Sequence, residues 1–448
     1  MKNLLLFISF SMAFGFNRGN LVSYELLETL SQSDAQSEID NDLSELSISA
    51  DYDISLYRII YETLNGYGDS TTASGIVAFP DNTDEAYPMI SWQHGTQVRR
   101  SSVPSINGFD LLSIVLSSNG YIFVAPDYLG LGYSDFLHPY MIKSSSASCV
   151  IDMIRAVKNF CSLINIIQNN NQLMLVGYSE GGYTTLAAQQ SIEQDFPNEF
   201  DITVSFPMAG PYHLSGTMAD VMLSAQEYGA PHYLPYVLLS YIEYYNLGPL
   251  ESFFLPQYAE LLPELFNGEY SSGYIDSQLP NPPIGMMLPS VIDDFTNNPD
   301  HFLRNLLIEN DLSDWLPYSL TYLFHGEADE LVPYENTEIA YTNFINNGAD
   351  SNMIMFETIP ASAGGHQDVA LIALQGAFEI SNGLKIINNL GDINEDGDLN
   401  INDIVLSVSN LINFIELDSY SLWASNINND EQINILDVIL LINMVLNG

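Results

Sequence analysis

Apolar residues along this chain fall into two rhythms. Short runs bounded by turn residues recur at 74–79, 89–93, 121–125, 173–176, 204–208 and 321–324, and each reads as a buried strand. Longer stretches with helical spacing lie between many of them, notably 144–164 and 182–193. Strand and helix in alternation predict an α/β fold, with a mostly parallel central sheet and helices on both faces. The rhythm breaks between about 213 and 315, a stretch dense in Tyr, Leu and Pro and too long and apolar for a loop. An inserted helical cap is predicted there, a hydrophobic lid over the strand ends where such sheets bind ligands. The plainer alternative is a cap that only packs on the core.

The flanks differ in texture. Residues 4–16 form an apolar stretch behind Lys2, too short to cross a bilayer and of the length of a secretory signal. Residues 1–16 are therefore read as a signal peptide, and the protein as secreted or cell-surface associated. Residues 17–50, rich in Ser, Asp, Glu and Gln, predict a weakly ordered lead-in to a main domain over 51–385. From 388 to 448 there are ten acidic residues and no Lys or Arg, and two similar pieces, 392–403 and 426–437, recur 34 residues apart. A small separate domain with an internal duplication is predicted.

Charge narrows the partners. Ten Lys and Arg face 56 Asp and Glu, a formal net charge of -46, so the chain repels polyanions and nucleic acid is excluded. The acidity reads as a solvated surface suited to a salty or calcium-rich medium, since no single acidic run is long enough to mark a patch for a basic partner. The two cysteines, Cys149 and Cys161, fall in one predicted helix. Twelve residues of helix separate them by roughly 18 Å, so no bridge between them is expected.

The strongest motif is Gly177-Tyr-Ser179-Glu-Gly181-Gly182, placed between an apolar strand and a helical pattern. Small residues two positions either side of Ser179 permit the sharp turn that lifts a nucleophilic hydroxyl into a cleft. A serine needs a base, and the base needs an acid to hold its tautomer. Downstream, Tyr322-Leu-Phe-His-Gly-Glu-Ala-Asp329-Glu-Leu-Val-Pro333 is a strand ending in a polar turn, with Asp329 in the place of the acid and Glu327 and Glu330 as solvated competitors. Of seven histidines only His366, in Ala363-Gly-Gly-His366, follows that acid. The candidate triad is Ser179, Asp329 and His366. Two backbone N–H groups, of Glu180 after the serine and of Thr96 in Trp92-Gln-His94-Gly95-Thr96, are the candidate oxyanion donors. His94 reads as structural, and Asp127 as a turn stabiliser near the pocket.

His94-Gly-Thr, Pro126-Asp-Tyr-Leu-Gly-Leu-Gly, His138-Pro-Tyr and Gly177-Tyr-Ser-Glu-Gly-Gly together resemble the secreted lipase and esterase branch of the α/β-hydrolase superfamily, over roughly 51–385. The resemblance implies the α/β-hydrolase fold and cleavage of small-molecule or lipid esters through an acyl-enzyme, with no catalytic cofactor. A peptidase with the same triad is the enzymatic alternative. A binding or docking protein with an inactive core is the alternative of another class.

The duplicated tail carries oxygen ligands at alternate positions of a twelve-residue loop, as calcium requires. The first loop offers Asp392, Asn394, Asp396, the carbonyl of Asp398, Asn400 and Asp403, with Gly397 at the sharp turn. The second offers Asn426, Asn428, Asp430, the carbonyl of Gln432, Asn434 and Asp437. There Asn426 removes a charge and Glu431 replaces the glycine, so weaker binding is expected. Asp at the twelfth position, with one helix after each loop, resembles type I dockerin domains. That resemblance implies a small all-α unit holding structural Ca2+ and docking onto a cohesin of a scaffold or surface protein. A calcium-stabilised tail without a partner is the alternative.

Overall fold

The computed structural model describes residues 18–44, 48–82, 85–164, 168–428 and 432–447; the signal-like segment 1–16 lies outside them. The strands are β1 (Leu21–Leu30), β2 (Ile54–Leu64), β3 (Ser70–Pro80), β4 (Glu85–Gln93), β5 (Ile122–Pro126), β6 (Gln168–Tyr178), β7 (Ile202–Met208), β8 (Thr321–Gly326), β9 (Ile354–Ile359) and β10 (Asn388–Asn389). They form one sheet in the order β1-β2-β3-β5-β4-β6-β7-β8-β9, with β10 paired to β4 off that path. Pairing is parallel from β5 through β9 and antiparallel among β1, β2, β3 and β5.

Successive side chains of a strand point to opposite faces, and the core divides accordingly. Met89, Ile122, Val124, Leu173 and Leu175 belong to one apolar cluster, together with residues of the helices Lys143–Ile164 and Glu180–Asp195. Ile90, Phe123, Ala125, Met174 and Val176 belong to the other, with Leu116, Ala373 and Ala377 from the helices Leu111–Ser118 and Ala370–Leu384. Burial on both faces is why these strands read as continuous apolar runs.

The polar segment after residue 17 departs from expectation. β1 adds antiparallel to β2, and Ser31 caps the following helix Gln32–Asp42, its Oγ accepting from Asp34 N at 3.2 Å. That helix buries Ala35 and Ile39 against Ile114 and Val115. β1 is an edge strand with most of its residues exposed, so its polarity reflects its position and not a lack of order.

Between β7 and β8 the chain forms the cap, with helices at Ala219–Met222, Tyr233–Tyr244, Pro256–Leu265, Ser272–Asp276, Pro289–Asn297 and Phe302–Glu309. The tail has helices at Ile401–Leu411, Ser419–Ser425 and Ile435–Asn447. It is joined to the main sheet: Asn388 pairs with Ala86, and Ala86 packs with Ile393, Tyr420, Ala424 and Leu441. No helix among the described residues is long and apolar enough to cross a membrane.

Candidate active site

Parallel register brings the strand ends together. Gln93 of β4 lies beside Gly177 of β6, which lies beside Pro207 of β7. Ser179 follows immediately, at φ +64° and ψ −124°, as the residue before the helix Glu180–Asp195. A positive φ on a non-glycine costs on the order of 1–3 kcal/mol and persists only where its surroundings enforce it. The glycines do so here. A Cβ on Gly177 would overlap Gly181 O and Thr185 Oγ1, one on Gly181 would overlap Gln93 O, and one on Gly182 would overlap Met208 O. Ser179 N donates to Met208 O at 2.9 Å, pinning the turn.

The other two residues arrive from the ends of β8 and β9. His366 Nε2 lies 2.9 Å from Ser179 Oγ, and His366 Nδ1 lies 2.5 Å from Asp329 Oδ2, with the imidazole fully buried. Asp329 Oδ1 accepts from the N–H groups of Leu331 and Val332 at 3.0 and 2.8 Å. A carboxylate only accepts, so Nδ1 carries the proton and Nε2 is free to take one from the serine. Of the three neighbouring carboxylates, Asp329 reaches the imidazole. Glu330 accepts from the His366 backbone N–H at 3.0 Å, and Glu327 from that of Ala361 at 3.0 Å.

Burial alone would push the Asp329 carboxyl up. Hydrogen bonds from His325 and His366, and their charge, outweigh it and hold the group down to about 2. His325 Nε2 lies 3.3 Å from Asp329 Oδ2. Neither that contact nor Tyr178, whose hydroxyl donates to His366 O at 2.6 Å, is visible in a motif. The Tyr178 bond depends on how β6 meets the His366 loop, and the His325 contact on how the chain turns between β8 and Asp329.

Gly95 sits beside the serine: a Cβ built on it would lie 3.8 Å from Ser179 Cβ. The following Thr96 is hydrogen-bonded through Oγ1 to the Tyr140 hydroxyl at 3.0 Å, and Glu180 opens the helix after the serine. His94 is held by Gly95 O and Asp127 O. The fully buried Asp127 carboxylate accepts from Ser74 Oγ at 2.5 Å and from Ser105 N at 3.0 Å, tying the end of β5 to β3 and to the short helix Pro104–Asn107.

Beside Ser179 opens an apolar cavity. The cap supplies most of its wall, including Leu214, Met218, Met222, Leu238 and Met287, and Tyr140, Glu180 and Val332 close it from the core side.

In the tail, the carboxylates of Asp392 and Asp403 are buried, and no basic side chain pairs with them among the described residues. Asp392 accepts from the N–H groups of Asp396 and Gly397, and Asp403 from those of Ile393, Asn394 and Asn400, so both close one loop. Gly397 takes φ +84° at the sharp turn. Two buried, uncompensated carboxylates in an oxygen-rich loop fit a hard cation. No group of three His, Cys, Asp or Glu side chains among the described residues is arranged to hold a metal ion. In the second loop Asp437 repeats the pattern, accepting from Asn428 N and Asn434 N, while Asp430 lies outside the described residues.

The sheet order, the nucleophile turn and the cap are those of the α/β-hydrolase fold, and comparison with solved structures agrees. The esterase LipA of Xanthomonas oryzae, described as rice cell wall degrading, is 26% identical over 82% of this chain and 96% of its own, with a TM-score of 0.70. A Legionella pneumophila protein assigned to the hydrolases by its description is 29% identical over 81% of this chain and 98% of its own, at 0.73. Lipase A of Candida antarctica shares the fold at 16% identity, covering 82% and 83%, at 0.59. Residues 96–207 match the secretory lipase family. No curated protein sequence matches the chain. Fold and likeness together give the chain the α/β-hydrolase fold and make it similar to esterases and lipases.

Proposed function

We propose that this protein is an exported serine hydrolase that cleaves carboxylic esters through an acyl-enzyme. The observation that carries this reading is the Ser179–His366–Asp329 hydrogen-bonded chain opening onto an almost wholly apolar cavity. Ser179 Oγ attacks the ester carbonyl while His366 Nε2 takes its proton, and Asp329 holds the imidazole and the charge it gains. The tetrahedral oxyanion is held by the N–H groups of Thr96 and Glu180. His366 then returns the proton to the departing alcohol, and water repeats the sequence to free the acid. An apolar chamber suits an acyl chain better than a peptide, which carries polar groups at every residue. Export is supported by the signal-like segment 1–16 and the secretory lipase match.

The deciding assay is hydrolysis of p-nitrophenyl esters from acetate to palmitate by wild type and Ser179→Ala. Turnover in wild type and its loss in the variant are expected. Absence of ester turnover by the folded wild type, or its survival in the variant, overturns the proposal.

We further propose that the tail binds calcium and docks onto a cohesin-bearing partner. Asp392, Asn394, Asp396, the Asp398 carbonyl, Asn400 and Asp403 would hold the first ion, and Asn426, Asn428, Asp430, the Gln432 carbonyl, Asn434 and Asp437 the second. The ion would neutralise loop carboxylates and stiffen the tail, with no part in the ester chemistry. Docking is supported by the dockerin-like spacing and by Ile401, Val405, Val408, Ile435 and Ile439, which are exposed along the two long tail helices.

A further inference from the structure

The motif His138-Pro139-Tyr140 takes no part in the proton chain, yet it touches both residues assigned to the oxyanion site. His138 Nε2 lies 2.8 Å from Glu180 Oε1, and the Tyr140 hydroxyl lies 3.0 Å from Thr96 Oγ1. His138 Nδ1 faces the Leu129 carbonyl oxygen at 2.7 Å. A carbonyl only accepts, so Nδ1 carries a proton and the ring is oriented from behind. Glu180 Oε2 is buried without a hydrogen-bond partner among the described residues, so the His138 contact is what holds that carboxylate.

Aromatic packing stiffens the arrangement. Tyr236, on the cap helix Tyr233–Tyr244, stacks on Tyr140 at 4.5 Å and 12° and donates to Gln97 O at 3.1 Å. The Tyr128 ring stacks on His94 at 4.1 Å, and its hydroxyl donates to His94 O at 2.8 Å. The 94–97 loop is thus gripped at His94, Thr96 and Gln97.

We propose that His138 and Tyr140 are positioning residues that set the spacing between the Thr96 and Glu180 N–H donors. The proposal rests on the serine-esterase reading above. One donor follows β4 and the other opens the helix after β6, and the 138–140 segment spans the gap by bonding to a side chain on each side. Oxyanion donors work only when held at about 2.7–3.1 Å from where the charge forms. Deleting one donor costs about 10²–10³ in rate, so loosening one is expected to cost about tenfold.

The test uses the full chain, p-nitrophenyl butyrate, and an aryl trifluoromethyl ketone. Ser179 Oγ adds to the ketone carbonyl, its proton passes to His366, and the former carbonyl oxygen becomes the anion in the oxyanion site. Tyr140→Phe and Thr96→Val should each lower kcat about tenfold, leave KM within about twofold and weaken ketone binding about tenfold. The double variant should be no worse than either single one, because both break the same bond. His138→Gln, whose amide can still donate to Glu180, should keep more activity than His138→Leu. A purely structural role would lower Tm without the parallel loss of ketone affinity. Folded Tyr140→Phe and Thr96→Val variants with kcat and ketone affinity near wild type, or losses that multiply in the double variant, overturn the proposal while Ser179-dependent turnover stands. A wild type without ester turnover overturns the esterase reading and this one with it.

Discussion

Asp329 is drawn in two directions, and the outcome is measurable. Burial disfavours its charge, and two histidines more than restore it, lowering the group from 3.8 to about 2. A carboxyl depressed on folding contributes stability that is present above its unfolded value and lost as pH falls through its folded one. The window is therefore pH 3.8 down to about 2, and the contribution is on the order of 2 kcal/mol. Thermal unfolding of wild type and Asp329→Asn should show a gap in Tm that narrows across that window; a gap independent of pH would sink the assignment. Ser179 offers a second comparison. Its positive φ is relieved by glycine and not by alanine, so Ser179→Gly should unfold about 1 kcal/mol later than Ser179→Ala, with both inactive. Equal stabilities in denaturant titration would show that the turn stores no strain.

At the level of elements, the candidate triad was legible because strand, glycine turn and chain order each leave a local mark. Gly177, Gly181 and Gly182 stand where a Cβ would strike a neighbouring backbone, and that need is written directly into the sequence. β1 was not legible, because an edge strand exposes one side and its composition resembles a solvated tail. His138 was equally hidden, since its partner Glu180 lies on another element, and so was His325, because no motif marks which way its ring turns toward Asp329 four residues on. The cap was foreseen as a helical insertion, but which residues face the cavity depends on how its helices cross. Leu238 lines the cavity from the helix Tyr233–Tyr244. Leu238→Trp should cut turnover of palmitate esters at least about tenfold relative to butyrate, by filling space the longer chain needs. A chain-length profile unchanged by the variant would place the acyl chain elsewhere.

For the whole molecule, charge and tail act together. Four of the ten Lys and Arg, namely Arg18, Arg58, Arg100 and Arg155, are engaged with acidic side chains, and the excess of 56 Asp and Glu leaves the surface acidic. Calcium bound in the tail loops would offset part of that repulsion. The tail also shares a strand pair and a small apolar cluster with the main sheet, at Ala86, the opposite end of β4 from Thr96. Chelation should therefore loosen the tail while sparing ester turnover. Adding calcium at about 100 times its Kd should restore about 2.7 kcal/mol to tail unfolding. Followed by Trp423 fluorescence, a transition indifferent to EGTA and calcium would remove the ion from the account.

The sequence alone determined the fold class, the candidate serine, histidine and aspartate of the site, the cap's place and the repeated spacing of the tail, because periodicity, glycine turns and ligand spacing are local properties of the chain. The tertiary structure decided the rest. It set the order of β5 and β4 in the sheet, the ordering of residues 21–42 against it, the second histidine on Asp329 and the bridge from His138 and Tyr140 to Glu180 and Thr96. All but the His325 contact, which lies only four residues from Asp329, join residues far apart in the chain, and those bonds exist only once the sheet has brought the strand ends to one edge.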